Sequence, residues 1–286
     1  MSIQLAKHSK LTAERLKREA DSNLTGAPPL PEWAQGQNTV ANMAAGTSVF
    51  DPVLCELAYR WFSPMGGVVL DPFAGGSVRG IVAAKCGREY VGVDLSEAQI
   101  QANEEQAATI TPDNKPRWIV GDSRDIAELV PGEYDLVFTC PPYADLEVYS
   151  DDPRDLSTME YLIFLDVYRE IIAASVAMLK EDRFAVIVVG DVRDKGGMYR
   201  GFPAATIHAF EDAGAKLYNE AVLITAVGSL PIRVGRQFSA GRKLGKTHQN
   251  VLVFVKGDPR KATEACGAVT IQVTDTNAQS VGASRR

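Results

Sequence analysis

The sequence predicts an α/β fold: a doubly wound, mostly parallel seven-stranded sheet with an antiparallel edge strand. Three observations predict it. From Val68 onward, short apolar runs alternate with stretches of helical period, the pattern of a parallel sheet covered by helices on both faces. Glycine, proline and acidic residues gather where those runs end, at Asp71–Ser77, Asp94, Asp122 and Cys140–Tyr143. All four stretches therefore fall on the carboxyl rim, where open α/β sheets bind ligands. The last two apolar runs, Tyr218–Thr225 and Val251–Val255, show no helix between them and are expected to pair antiparallel at one edge.

Taken in order, residues 1–46 read as an irregular N-terminal extension. It holds one short helix candidate at Thr12–Asp21, and Pro28-Pro29-Leu30-Pro31 breaks anything regular. Gly46-Thr47-Ser48 offers helix-start chemistry, and Pro52–Phe62 carries Val53, Leu54, Leu57, Ala58 and Trp61 on one face. Strand and helix then alternate: strand Val68–Leu70, helix Val78–Cys86, strand Tyr90–Val93, a helix opened by Ser96-Glu97-Ala98, and strand Arg117–Val120. Strand Leu136–Thr139, a long helix at Tyr161–Leu179, strand Phe184–Val189 and helix Phe202–Ala213 complete the series. Residues 47–257 form one domain on this reading, and 258–286 a polar, small-residue tail expected to be disordered.

Composition narrows the function classes. The 286 residues are 45% apolar, enough for a sizeable core. No apolar run approaches the roughly 18 residues of a membrane span, and the first residues lack a signal-peptide core; a cytoplasmic protein is expected. The four cysteines and three histidines are scattered, which argues against a metal site and a disulfide framework. The net charge of −6 rules out a generally basic nucleic-acid binder. One local exception runs from Gly228 to His248, with Arg233, Arg236, Arg242, Lys243 and Lys246 and no acid. It reads as a phosphate-binding loop or as a solvated positive loop, with Gln237, His248, Gln249 and Asn250 as candidates to reach base edges.

The turn Asp71-Pro72-Phe73-Ala74-Gly75-Gly76-Ser77 joins a strand to a helix. Glycine allows close backbone approach, and a helix N-terminus offers free N–H groups. Asp94, followed by Leu95, is placed to accept ribose hydroxyls. Asp122, followed by Ser123, is placed to accept from an adenine amine. The turn departs from Gly-x-Gly-x-x-Gly, which disfavours a dinucleotide, and the acid at Asp71 disfavours a phosphate ligand. A cationic or neutral adenosine ligand fits better. Thr139-Cys140-Pro141-Pro142-Tyr143 closes the buried run Tyr134–Phe138. Its prolines end the ladder and stiffen the backbone, and its aromatic suits a planar ligand.

Together these two stretches resemble the S-adenosylmethionine-dependent DNA amino-methyltransferases. These are the N6-adenine and N4-cytosine enzymes, often phage-encoded or part of restriction–modification systems. The resemblance spans about residues 48–256; Gly76-Ser77 reverses the family's usual Ser-Gly, and Cys140 stands where the family has Asp, Asn or Ser. It implies a Rossmann-like methyltransferase fold and S-adenosylmethionine as cofactor. Asp71, Phe73, Ala74, Gly75, Asp94, Leu95, Asp122 and Ser123 would form the cofactor site. Cys140, Pro141, Pro142 and Tyr143 would form the catalytic stretch, with the Pro141 carbonyl gripping the amine and Tyr143 stacking on an extruded base. DNA is the implied partner, RNA is compatible with the same motifs, and a homodimer is compatible with the chain.

Cys140 leaves three readings open. It is a tolerated substitute in an amino-methyltransferase; a nucleophile that adds to C6 of a pyrimidine to activate C5; or a mark of a catalytically degenerate nucleic-acid binder. The acidic stretch with Asp145, Glu147, Asp151, Asp152 and Asp155 reads as a lid or a solvated loop, and Tyr149 as a base contact or a packing residue. Asp191-Val192-Arg193-Asp194 reads as a wall of the cleft or a surface pair.

Overall fold

A computed structural model describes residues 50–143, 149–225 and 230–269. The Thr12–Asp21 helix candidate, Asp145, Glu147 and the end of the tail lie outside the described residues. Backbone packing divides the chain into two units: Met1–Phe50 with Ile224–His248, and Asp51–Leu223 with Gln249–Arg286.

The larger unit opens with helix α1, Pro52–Phe62. The Asp51 carboxylate caps it, accepting from Val53 N (2.8 Å) and Leu54 N (3.1 Å), and Pro52 in the first turn costs no hydrogen bond. Strand β1 (Val68–Asp71), helix α2 (Val78–Lys85), strand β2 (Glu89–Asp94), helix α3 (Glu97–Ile110) and strand β3 (Arg117–Val120) follow. Next come the short helix α4 (Ile126–Leu129), strand β4 (Tyr134–Thr139), helix α5 (Tyr161–Met178), strand β5 (Leu179–Val189) and helix α6 (Phe202–Asp212). Strand β6 spans Lys216–Ile224 and strand β7 His248–Lys256.

These strands form one seven-stranded sheet in the order β3-β2-β1-β4-β5-β7-β6. The pairs from β3 to β5 are parallel, with Val69 beside Leu136 and Leu70 beside Val137 in the β1–β4 pair. β7 runs antiparallel to β5, from Arg183 beside Lys256 to Val189 beside Asn250. The antiparallel strand is thus at the expected side of the sheet, with β6 outermost. Every residue of β4 is buried, as a central strand covered on both faces requires.

The core on the α5–α6 face is aromatic. Phe164 and Tyr168 stack at 5.8 Å, and Phe202 lies 5.2 Å from Tyr168. Phe210 stacks on Phe254 at 4.1 Å. Each such ring buries enough area to contribute about 1.5–3 kcal/mol. Opposite, Gly80 of α2 lies against the β2–β3 side chains: a Cβ there would fall 2.5 Å from Trp118 Cζ2 and 3.1 Å from Tyr90 Cδ1.

Two local expectations are corrected. The basic stretch read as a loop contains helix α7, Leu230–Gly241. Leu230, Val234 and Phe238 recur at a spacing of four and give it a helical stripe; Pro231 and Gly235 between them hid that period. Thr225 N donates to Thr247 O at 2.9 Å, bringing the two ends of this segment together. The tail also begins as helix α8, Pro259–Cys266. Asp258 caps it, accepting from Arg260 N (2.7 Å) and Lys261 N (3.2 Å), so cap chemistry outweighs a polar composition.

Candidate active site

β1 ends in Asp71, which is fully buried. One carboxylate oxygen accepts from Phe73 N (3.1 Å) and Thr139 Oγ1 (2.6 Å). The other accepts from Arg79 Nε (2.6 Å) and the Tyr90 hydroxyl (2.7 Å). Four donors occupy the carboxylate's four acceptor positions. This corrects the expectation that Asp71 contacts the cofactor: it has no exposed surface and no acceptor position left. Its role is to hold the turn.

Arg79, in the first turn of α2, completes that hold. Its Nη2 donates to Phe73 O (2.6 Å) and Ala74 O (3.0 Å). Burial disfavours its charge, but Asp71 outweighs that and keeps the guanidinium protonated. A buried cation is thus matched by a buried anion at 2.6 Å, the condition under which such charges are tolerated.

The turn itself presents backbone. Ala74 is fully buried, and its N–H donates to Val93 O (3.0 Å). Phe73, half-buried, stacks on Tyr168 at 6.1 Å. Gly75 adopts φ 49°, in the left-handed region that favours glycine. Its N–H donates to Asp94 Oδ2 (2.8 Å), and its carbonyl accepts from Asn103 Nδ2 (2.7 Å). A Cβ on Gly76 would meet nothing within 4 Å, so open space lies before the turn. The Ser77 hydroxyl is bonded to Gln106 of α3.

Asp94 closes β2 with one acceptor position still open on each oxygen, because Gly75 N and Ser96 N (2.9 Å) take only one apiece. Burial raises its pKa above the usual carboxylate value, against the pull of those two N–H donors. Leu95 beside it is half-buried. Asp122 follows β3 and is engaged by Arg124: Oδ1 takes its backbone N–H (3.0 Å), and Oδ2 takes Nε (3.0 Å) and Nη2 (2.6 Å). Burial raises the Asp122 pKa, but the Arg124 hydrogen bonds outweigh that and leave it below the usual value. The Ser123 hydroxyl donates to Pro72 O (2.5 Å), lacing the end of β3 to the turn.

β4 is the neighbour of β1, so Cys140–Tyr143 leaves the sheet next to the glycine turn. Thr139 ties the two together through Asp71. Cys140 is half-buried, with its sulfur 4.0 Å from the Tyr143 hydroxyl; Pro141 is buried and Pro142 half-buried. The Tyr143 hydroxyl accepts from Gln249 Nε2 of β7 and from Gly190 N. Burial, then the neighbouring Cys140, push its pKa upward. Its ring meets Phe202 edge-on at 6.3 Å. Tyr143 is therefore held in a fixed position at the rim. Asp94, the glycine turn and Tyr143 share one rim, on the neighbouring strands β2, β1 and β4.

Sequence reasoning missed Arg79, Tyr90, Asn103 and Phe202. Arg79 carries one signal: a charged side chain two residues after the glycine turn, on the helix face toward the sheet. Gln249, read as a base-edge contact, holds Tyr143, and Asn250 Nδ2 donates to Glu220 (2.7 Å). Tyr149 N donates to the Ser157 hydroxyl (3.1 Å), and its side chain is exposed. Among the basic residues, Arg236 and Arg242 are exposed, while Lys243 and Lys246 are half-buried. The Arg242 guanidinium lies 5.0 Å from the Phe238 ring centroid. Arg233 lies within α7. Among the described residues, no group of three or more His, Cys, Asp or Glu could hold a metal ion. No helix among them is long and apolar enough to cross a membrane.

Residues 49–105 match the family model for N6/N4 DNA methylases. That span covers α1, the glycine turn, Asp94 and most of α3, and stops before Cys140. No curated protein matches the chain. TrmN from Thermus thermophilus is similar, with a TM-score of 0.50 at 18% identity over 77% of this chain and 52% of that one. The chain thus spans about half of that relative's length. A methyltransferase from Pyrococcus furiosus gives 0.49 at 14% identity, covering 87% of this chain and 100% of that one. The magnesium protoporphyrin IX methyltransferase ChlM from Synechocystis PCC 6803, solved with bound SAM, gives 0.48 at 16%, covering 79% and 88%. The fold is the Rossmann-like fold of S-adenosylmethionine-dependent methyltransferases.

Proposed function

We propose that the chain binds S-adenosylmethionine and transfers its methyl group to a base in DNA, at the exocyclic amine of adenine or cytosine. One observation carries this reading: Asp71 hydrogen-bonds both the glycine turn and Thr139, so the cofactor turn and the Cys140-Pro141-Pro142-Tyr143 stretch are held together. The match of residues 49–105 to DNA methylases supports the substrate class.

The residues fit such a cofactor. Gly76 leaves room for close approach, and Asp94 keeps an acceptor position on each oxygen for a ribose diol. Asp122, already paired with Arg124, is the weaker candidate for the adenine amine. When bound, the cofactor supplies an electrophilic sulfonium methyl. The chain then has to present a poor nucleophile, because an amine lone pair is delocalised into its ring. On this reading the Pro141 carbonyl, stiffened between two prolines, accepts an amine N–H and turns the lone pair out of the ring plane. Orientation of this kind supplies most of the acceleration. With the cofactor bound, the amine would gain an N–C bond at the expense of the C–S bond and would then release one proton to water.

The C5 reading of Cys140 has one point in its favour. The Arg79 cation lies within electrostatic range of the thiol. Asp71 neutralises that cation at 2.6 Å, however, so the field that would favour a thiolate is largely cancelled. Amine transfer remains the better reading. The basic segment, with Arg233, Arg236, Arg242, Lys243 and Lys246, is proposed to bind phosphates.

The test is transfer of labelled methyl to mixed DNA, followed by nucleoside mass analysis. N6-methyladenine or N4-methylcytosine is expected, with activity retained in Cys140→Ser. A 5-methylpyrimidine, abolished in Cys140→Ser, would establish the C5 route instead. Cofactor binding with no transfer to any DNA would reduce the chain to a binding protein.

A further inference from the structure

The segment leaving β5 has no part in the chemistry above, yet both its ends touch Tyr143. Gly190, at its start, donates its N–H to the Tyr143 hydroxyl, and Phe202, at its end, packs against the ring at 6.3 Å. Between them the chain makes a compact hairpin. Arg193 and Tyr199 pair antiparallel; Asp194 N donates to Met198 O (2.9 Å), and Arg200 N to Val192 O (2.9 Å). Its two acids are tied back to backbone. Asp191 Oδ1 accepts from Val192 N (2.9 Å), Gly201 N (3.0 Å) and Phe202 N (3.2 Å), and Asp194 Oδ1 accepts from Met198 N (2.9 Å).

The outer face combines the half-buried Arg193 and exposed Lys195 with flat aromatic surface, beside the exposed Asp194. The Arg193 guanidinium lies 3.7 Å from the Tyr199 ring centroid, and Arg193 Nη1 donates to Gly197 O (2.8 Å). Arg200 lies 4.2 Å over the Tyr161 ring. Lys195 is exposed at the tip, beside Met198 at 69% and Tyr199 at 47% exposure. In a chain of net charge −6, cations interleaved with exposed aromatic surface on the rim of the site match a stacked, polyanionic ligand. Folding costs are already met by the internal hydrogen bonds, so little order is lost on binding.

We propose that the hairpin Asp191–Gly201 grips the nucleic-acid strand beside the base to be methylated. Lys195 meets a phosphate, and Tyr199, backed by Arg193, stacks on a neighbouring base. This inference rests on the reading of the chain as a nucleic-acid methyltransferase.

The experiment measures fluorescence anisotropy of a labelled oligonucleotide, as a duplex and as a single strand, against salt concentration. Cofactor affinity by calorimetry and methyl transfer are measured in parallel. Lys195→Ala is expected to lower the slope of log affinity against log salt by about one. Tyr199→Ala is expected to weaken binding about tenfold, with Tyr199→Phe restoring it. Cofactor affinity stays unchanged in all three, which excludes misfolding as the cause. Wild-type binding matched by both alanine variants would overturn the hairpin assignment and leave the methyl-transfer reading standing. Binding that depends on the hairpin, without transfer to any nucleic acid, would support the assignment and overturn that reading. No oligonucleotide binding by the wild-type chain would overturn both.

Discussion

At the scale of single residues, Asp71 and Asp94 show how two acids at strand ends acquire different tasks. Asp71 is saturated by its own protein, whereas Asp94 keeps an acceptor position on each oxygen. Arg79→Ala should therefore act through stability. It strands the buried Asp71 carboxylate, a loss of about 3–5 kcal/mol, visible as a lower midpoint in urea unfolding; an unchanged midpoint would refute the buried pair. Asp94→Ala should abolish cofactor binding in calorimetry. The Asp94 pKa is raised by burial, and on the proposed function its ionised form accepts the ribose hydroxyls. Cofactor affinity should thus fall as pH drops through that raised value, beginning above the usual Asp range of about 3.9. In Asp94→Asn that pH dependence should be absent. The sequence placed Asp94 correctly at a strand end, because a residue's position along a strand is a local property. It misassigned Asp71, because saturation by Thr139, Arg79 and Tyr90 depends on contacts distant in sequence.

Elements were legible where period and cap agreed. α3 was opened where Ser96 caps it, accepting from Gln99 N at 3.2 Å, whereas α1 showed its period but is capped by Asp51 and not by the Gly46-Thr47-Ser48 stretch expected to start it. α7 was hidden by Pro231 and Gly235, and β5 begins earlier than its apolar run because Leu179–Arg183 adds mixed residues to the strand. The positive φ of Asp182 (57°) marks the bend in that extension. Packing between elements was not legible at all. Gly80 is the clearest case, since helix propensity alone would favour alanine there. Gly80→Ala should instead destabilise by about 1–3 kcal/mol, because its Cβ would fall 2.5 Å from Trp118 Cζ2. A thermal melt showing no decrease would contradict that packing. Tyr143 makes the same point for the site: its motif predicted an aromatic at the rim, but not its attachment to Gln249 on the last strand.

At the scale of the whole molecule, the alternation of strands and helices fixed the class of fold, and connectivity did the rest. The amino ends of the sheet are joined electrostatically. Asp135 of β4 accepts from Val68 N (3.1 Å), Lys180 Nζ (2.9 Å) and Arg183 Nε (3.1 Å). Burial raises its pKa, but Lys180, Val68 and Arg183 together bring it below the usual value. A carboxylate lowered in the folded state stabilises above its unfolded pKa and loses that contribution as pH falls through the folded one. Stability should therefore decline below about pH 4, and Asp135→Asn should flatten that decline in acid unfolding curves. The sheet order also puts β7, the last strand among the described residues, between β5 and β6, with Gln249 reaching back to Tyr143. On the ribosome, the growing polypeptide carries its glycine turn and diproline long before that strand emerges. A chain cut short before β7 therefore lacks Gln249, and Tyr143 loses the hydrogen bond that anchors it from that strand.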